Sequence, residues 1–235
     1  MVTKMNKYKQ IPLFNNKLLN PLINLFNTLR GFLFFIYLET IRRTFRVRVF
    51  DLCKIREYQN QGLLWIAWHG DLVAFVTFYR LFFPDRKISV WVVDAWPRYY
   101  YVPWLKISRA DEIVVNSKNK EKATQLMADA LAAGKDAIIF PDGPYGPSHH
   151  SKPGIYYVAT QSNSPIVPVA FSFSLMMKSR RWDHLKIPAP FVTEYCIIGK
   201  PIIFPDNSNL SSFLVDVSNN LNQLQAELEY SIKSS

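Results

Sequence analysis

Residues 137–159, AIIFPDGPYGPSHHSKPGIYYVA, decide the fold. Ala137 to Phe140 form an uninterrupted apolar run, the length and composition of a short buried strand. The chain has only 8 glycines and 15 prolines, yet Gly143, Gly146, Pro141, Pro144 and Pro147 crowd into the next seven residues. They surround one carboxylate, Asp142. Glycines let a backbone approach a ligand closely, and prolines remove freedom from a loop. The loop therefore reads as a device for holding backbone groups and Asp142 in place. Lys152, Pro153 and Gly154 lead into a predicted helix over 154–162, whose N-terminus can attract an anion.

The strand–loop–helix pattern recurs in both directions. Strands are predicted over 46–52, 63–67, 88–93, 112–115, 137–140, 166–171 and 195–198. Helices are predicted over 69–83 and 120–133. In the second, Ala123, Leu126, Met127, Ala130 and Leu131 share one face, and Gly134 stops it. Leu214, Val217, Leu221, Leu224 and Leu228 mark a terminal helix with a seam suited to packing on the parent domain. Alternating strands and helices predict an α/β fold: a layered, mainly parallel sheet with flanking helices. Residues 45–205 form this domain, 206–235 a C-terminal helix packed on it, and 1–44 a separate arm. Hydrophobic residues make up 49% of the 235, enough for a sizeable core.

The arm is basic and amphipathic. Lys4, Lys7 and Lys9 precede a Leu- and Phe-rich stretch over 11–38, Lys17 and Arg30 interrupt it, and Arg42, Arg43, Arg46 and Arg48 follow it. No span reaches the roughly 18 uncharged apolar residues of a membrane-crossing helix. No small-residue cleavage site follows the apolar part, as a secretory signal requires. The pattern suits a helix lying in a bilayer interface beside anionic head groups. Lys and Arg number 28 against 18 Asp and Glu, a net charge of +10. That balance favours anionic partners, and its concentration beside the apolar arm selects a membrane surface over nucleic acid. Cys53 and Cys196 lie far apart in apolar surroundings and read as reduced core residues. His149 and His150 read as a solvent-exposed loop pair, and no metal-ligand spacing is present.

Sites in parallel sheets gather at the carboxyl ends of strands. Two segments fall there: AWHGD (67–71) and the 141–147 loop. His69 can move a proton near neutral pH. Asp71 stands in the first turn of the predicted helix, where a carboxylate complements the dipole. Neither a Gly-x-Ser-x-Gly elbow nor a phosphate-binding Gly-x-x-x-x-Gly-Lys loop occurs. If His69 is catalytic, it activates a hydroxyl of the substrate.

AWHG (67–70), FPDGPYGP (140–147), KPGIYYVA (152–159) and SPIVPVAF (164–171) together resemble, in order and spacing, the lysophospholipid acyltransferase superfamily. They look most like its bacterial branch long labelled a domain of unknown function, as do RRWDHLKIPAPF (180–191) and GKPI (199–202). The resemblance covers about residues 45–205. It implies a membrane-associated O-acyltransferase of lipid metabolism. Such an enzyme moves a fatty acyl chain from acyl-coenzyme A or acyl-carrier protein to a lipid hydroxyl. The acceptor would be of lysophospholipid or lipid A type, and no cofactor or metal is needed. It implies His69 as general base and Asp142 in a substrate-binding position, with Asp71, Asp94 and Asp142 as candidates to orient His69. Arg98, Asp94, Gly143, Pro144, Tyr145, Gly146 and Lys152 would line the substrate site. The implied location is the cytoplasmic face of the inner membrane, peripheral or monotopic, on anionic lipid. The chain departs from the family at three places. Ala74 stands where the wider superfamily has an aspartate, Tyr145 where the branch has arginine, and the branch's Arg-Gly-Ser-Ser segment is absent. An acyl thioesterase using the same residues, or a non-catalytic membrane lipid-binding protein, are the alternatives.

Overall fold

The computed structural model describes residues 19–58, 60–93, 105, 110–116, 118–202 and 209–234. Among the described residues the strands are β1 (Arg46–Asp51), β2 (Leu64–Ile66), β3 (Ile88–Val93), β4 (Ala110–Val115), β5 (Asp136–Ile139), β6 (Ile166–Phe173), β7 (Met176–Lys178), β8 (Lys186–Pro188) and β9 (Thr193–Ile198). Among them the α-helices are α1 (Leu19–Arg42), α2 (Leu72–Phe82), α3 (Lys120–Ala132), α4 (Gly154–Ser162) and α5 (Leu210–Lys233). Seven strands make one sheet in the order β1-β9-β6-β2-β5-β3-β4. Every pairing in it is parallel except β6 with β9. The mainly parallel α/β architecture is thus as the sequence pattern predicts.

The central strands are apolar throughout because helices cover both faces. Along β2, Leu64 and Ile66 enter a core with α3, α4 and the first half of α5. Trp65 and Ala67 point the other way, into a core with α2. Trp65 there sits among Phe75, Phe78, Tyr79 and Phe83, all with ring centroids within 6.2 Å. At the opposite strand ends Asp136 is fully buried and satisfied. Its carboxylate accepts from the Leu63 N–H, the Trp65 indole, the Tyr79 hydroxyl and the Arg86 guanidinium.

Topology puts several features on one edge of the sheet. β2 ends at Ile66 beside Pro168 of β6, and β6 runs on to Phe173 beyond that edge. β9 starts there, with Glu194 opposite Phe173, and β1 starts alongside it, with Arg46 opposite Thr193. The end of α1, the β7–β8 hairpin and the residues after β2 are therefore neighbours. α1 docks through Phe35, Leu38 and Ile41 onto Val73 of α2 and Leu185 of the hairpin.

Two expectations are corrected. Residues 69–71 form a 3-10 turn ahead of α2, closed by the Asp71 N–H donating to the Trp68 carbonyl at 2.9 Å. Leu126 of α3 is exposed, and the buried face is Ala123, Thr124, Met127, Ala128 and Leu131. The helix Pro21–Arg42 passes a length-and-composition test for crossing a membrane, although Arg30 interrupts its apolar run and Glu39 and Arg42 close it. The first 18 residues of the arm lie outside the described residues.

Glu194 is buried between β9 and α2, where it accepts from the Thr77 hydroxyl at 2.9 Å. Burial pushes its carboxyl up to about 8, only partly opposed by that hydrogen bond and by Arg42. Between its unfolded value near 4.5 and about 8 the folded chain holds this proton more tightly than the unfolded one. Stability is therefore expected to fall by a few kcal/mol as pH rises through that window. In Glu194→Gln the slope should disappear, which urea denaturation at pH 5, 7 and 8.5 would read.

Candidate active site

The chain leaves β2 through Ala67 and Trp68 and turns at His69. The turn is held by its neighbour across the sheet, the loop after β5. Asp142 is completely buried, and its carboxylate accepts the His69 N–H at 2.9 Å and the His149 N–H at 3.2 Å. The loop is closed by its own backbone. Gly143 N–H donates to the Phe140 carbonyl at 2.9 Å, and Gly146 N–H to the Asp142 carbonyl at 3.1 Å. Lys152 secures the loop's far side, its N–H on the Pro141 carbonyl at 2.9 Å and its ammonium on the Gly143 carbonyl at 3.0 Å. Burial lowers the Lys152 pKa, against the pull of Asp142. Pro144 and Tyr145 are exposed at the loop's crest.

Glycine is required twice. A Cβ on Gly143 would lie 2.9 Å from Cδ2 of His69. Gly146 has a φ of +66°, and a Cβ there would lie 2.7 Å from the Trp182 ring. The loop thus packs its bare backbone against the imidazole on one side and the β7–β8 turn on the other.

That turn carries the partner of His69. Asp183 lies between β7 and β8, and its Oδ2 is 2.9 Å from Nδ1 of His69. The Arg181 guanidinium is 3.1 Å from the same oxygen. Burial alone would push the Asp183 carboxyl up, but the His69 hydrogen bond and the Arg181 charge together hold it below the usual carboxylate range. Phe140 and Trp182 flank the imidazole with centroids 5.5 and 5.0 Å away. The His69 side chain keeps 20% of its surface exposed. Among the described residues Nε2 has no hydrogen-bond partner. A histidine pinned at Nδ1 by a carboxylate presents a free Nε2 as a proton acceptor.

Asp183 corrects the sequence reading, which named Asp71, Asp94 and Asp142 for this role. Asp142 binds the backbone of His69. Asp71 is buried and pairs with Lys186 of β8 at 2.5 Å, where Lys186 also donates to the Phe171 carbonyl at 2.6 Å. Burial raises the Asp71 pKa despite that pairing. Asp94 and Arg98 lie outside the described residues. The hairpin is therefore clasped twice onto His69–Gly70–Asp71, by Asp183 on His69 and by Lys186 on Asp71. The signal for Asp183 was present in RRWDHLK: one acid flanked by cations. Its separation of 114 residues from His69 hides the pairing from any local reading.

Gly70 lets the clasp close, since a Cβ there would lie 2.5 Å from the Asp183 carbonyl oxygen. Gly70→Ala is expected to push the 181–184 turn away and cost on the order of 1–3 kcal/mol in urea denaturation. On the α5 side of the clasp a cleft of about 350 Å³ is lined by Trp68, Asp71, His149, Lys186 and Gln225. His149 stacks on Trp68 with centroids 5.0 Å apart. Among the described residues no three His, Cys, Asp or Glu side chains gather closely enough to hold a metal ion.

No family model matches the chain. Over 93 residues it is 34% identical to "Uncharacterized protein RP090" of Rickettsia prowazekii (strain Madrid E). That match covers 39% of this chain and 43% of the relative's length, so the chain matches less than half of that protein. The crystal structure of the 1-acyl-sn-glycerophosphate (LPA) acyltransferase PlsC from Thermotoga maritima is similar in fold. The TM-score is 0.52 at 16% identity, over 92% of this chain and 84% of that one. At this identity the likeness is one of fold.

Proposed function

We propose that this chain is a membrane-associated acyltransferase that moves a fatty acyl group from acyl-coenzyme A or acyl-carrier protein to a lipid hydroxyl. The observation that carries the reading is the His69–Asp183 pair, with Nε2 presented beside the bare backbone of Gly143. The fold likeness to an LPA acyltransferase supports it.

In this mechanism Asp183 holds the Nδ1 proton and so keeps Nε2 basic. Nε2 takes the proton of the acceptor hydroxyl as its oxygen attacks the thioester carbonyl. A C–O bond forms and the carbonyl becomes an oxyanion, for which the Gly70 N–H or a 142–146 N–H not already used within the loop would serve as donor. Collapse breaks the C–S bond, and the imidazolium returns its proton to the departing thiolate. Asp142 acts on this chemistry by fixing the His69 backbone. Tyr145, Pro144 and Lys152 border the acceptor, with Asp94 and Arg98 as further candidates. The acceptor is of lysophospholipid or lipid A type. Tyrosine at 145 cannot grip a phosphate in two places as arginine does, so Lys152 or Arg98 would have to take that part.

The basic, apolar α1 would hold the enzyme on anionic lipid at the cytoplasmic face. Leu22, Phe26, Leu29, Leu33 and Ile36 are all exposed, at alternating spacings of four and three residues. This makes an apolar stripe along the helix opposite its docked face.

The test is transfer from labelled acyl-coenzyme A and acyl-carrier protein to a panel of lysolipids and lipid A precursors. A new ester is the expected product. Free fatty acid alone would make the protein a thioesterase, with water taking the acceptor's place. Vesicle binding without turnover would leave a lipid-binding protein.

A further inference from the structure

The β7–β8 hairpin does more than deliver Asp183 and Lys186. Its outer surface is apolar and basic. Leu175 is 65% exposed, Met177 70%, and Phe191, just after β8, 85%. Lys178, Arg180 and Arg181 are exposed in the same segment. Between residues 174 and 191 the sole acid is Asp183, which is buried against His69. Arg181 pairs with Asp183, so the segment shows solvent three large apolar side chains and two further cations, Lys178 and Arg180, with no exposed carboxylate of its own.

Phe191 is held in position. Its φ is +61°, a left-handed conformation that bulky residues rarely adopt. Its N–H donates to the Thr44 hydroxyl oxygen at 2.8 Å, just past the end of α1. The Tyr37 hydroxyl of α1 donates to the Pro188 carbonyl at 3.1 Å. The apolar surface of α1 thus continues onto the base of the hairpin, while the hairpin's turn touches His69. All three lie on the same edge of the sheet.

We infer that Leu175, Met177 and Phe191, with Lys178 and Arg180, form a second membrane contact that seats the His69 edge on an anionic bilayer. This rests on the membrane-associated reading above and deepens it. The occupant is lipid because the patch joins apolar tips to uncompensated positive charge. Apolar burial plus attraction to anionic head groups is the combination that holds interfacial segments. The geometry would present the pair His69–Asp183 at head-group depth, where the hydroxyl of a lipid acceptor sits.

The experiment places an environment-sensitive nitrobenzoxadiazole label at Phe191→Cys in a Cys53→Ser background of the full chain, since Cys196 is buried. A label at Leu126→Cys, exposed on α3 across the sheet, is the control. Phosphatidylglycerol–phosphatidylcholine vesicles should shift emission at 191 to the blue and allow quenching by doxyl-labelled lipid, with no change at 126. Leu175→Ser/Met177→Ser/Phe191→Ser should partition onto these vesicles roughly tenfold or more weakly. Flotation of the protein with the 191 label still in water would overturn the inference and leave membrane association by α1 intact. Failure of the unmodified chain to float would overturn both. A blue shift that grows with protein concentration without vesicles would assign the patch to a second copy of the chain and overturn it. Hydrogen exchange of the unmodified chain gives the answer without substitution. Vesicles should slow exchange over 174–179 and 189–192, and unchanged rates there would overturn the inference.

Discussion

Replacing His69 with alanine is expected to lower the proposed acyl transfer by at least about 10²–10⁴-fold, the usual contribution of a positioned general base. The loss should fall on kcat. The imidazole is held by groups that stay when it leaves: Asp142 still binds the backbone N–H at 69, and Lys186 still pairs with Asp71. The hairpin keeps one of its two clasps, so the fold should survive the substitution. Single-turnover assays of ester formation on the wild type and His69→Ala, with circular dichroism of both, make the comparison. Equal rates in the two folded proteins would remove His69 from the mechanism.

Asp183→Asn has an expected effect of the same order, about 10²–10⁴-fold. Asparagine fits the same space, but its amide can donate to Nδ1 and so move the imidazole proton to Nε2. The nitrogen facing the substrate would then have no lone pair to offer. Asp183 is buried and acts through the imidazole it holds, so kcat should fall with KM little changed. Asp183→Glu should recover part of the loss because it restores the acceptor. A purely structural role would instead predict that all three variants track their stability. Because its carboxyl is held low, the contribution of Asp183 to stability is present above the ordinary range near 3.8 and is lost only as pH falls below it. Asp183→Asn should therefore matter least to stability in strong acid.

Much of this was legible in local patterns. Uninterrupted apolar runs at 64–67, 137–140 and 166–171 announce strands buried on both faces, and helical periodicity separates them. That combination forces a parallel sheet with helices on either side. The two site segments were found for a related reason: each follows such a strand and breaks its pattern with residues a mere turn does not need. Their resemblance to acyltransferase motifs rests on the same local signals.

The hairpin was not legible. β7 and β8 are three residues each, too short for an alternation to register. The corrected partner of His69 belongs to the same class of failure. The sequence offers Asp71, Asp94 and Asp142, each beside a recognised motif, whereas the contact is made by a residue 114 positions away in a segment with no strand pattern.

The sequence by itself determined the strands of the main sheet and the helices between them, that the charge sits with the apolar arm, and that His69 and Asp142 stand at strand ends. Those are consequences of side-chain chemistry and spacing within a few residues. Only the tertiary structure decided that Asp142 binds a backbone, that Asp71 faces Lys186, and that Asp183 takes the imidazole. The reason is that β2, β5 and β6 are adjacent in the sheet but far apart in the chain. A hydrogen bond of 2.9 Å depends on which strands pair, and no short-range pattern records that.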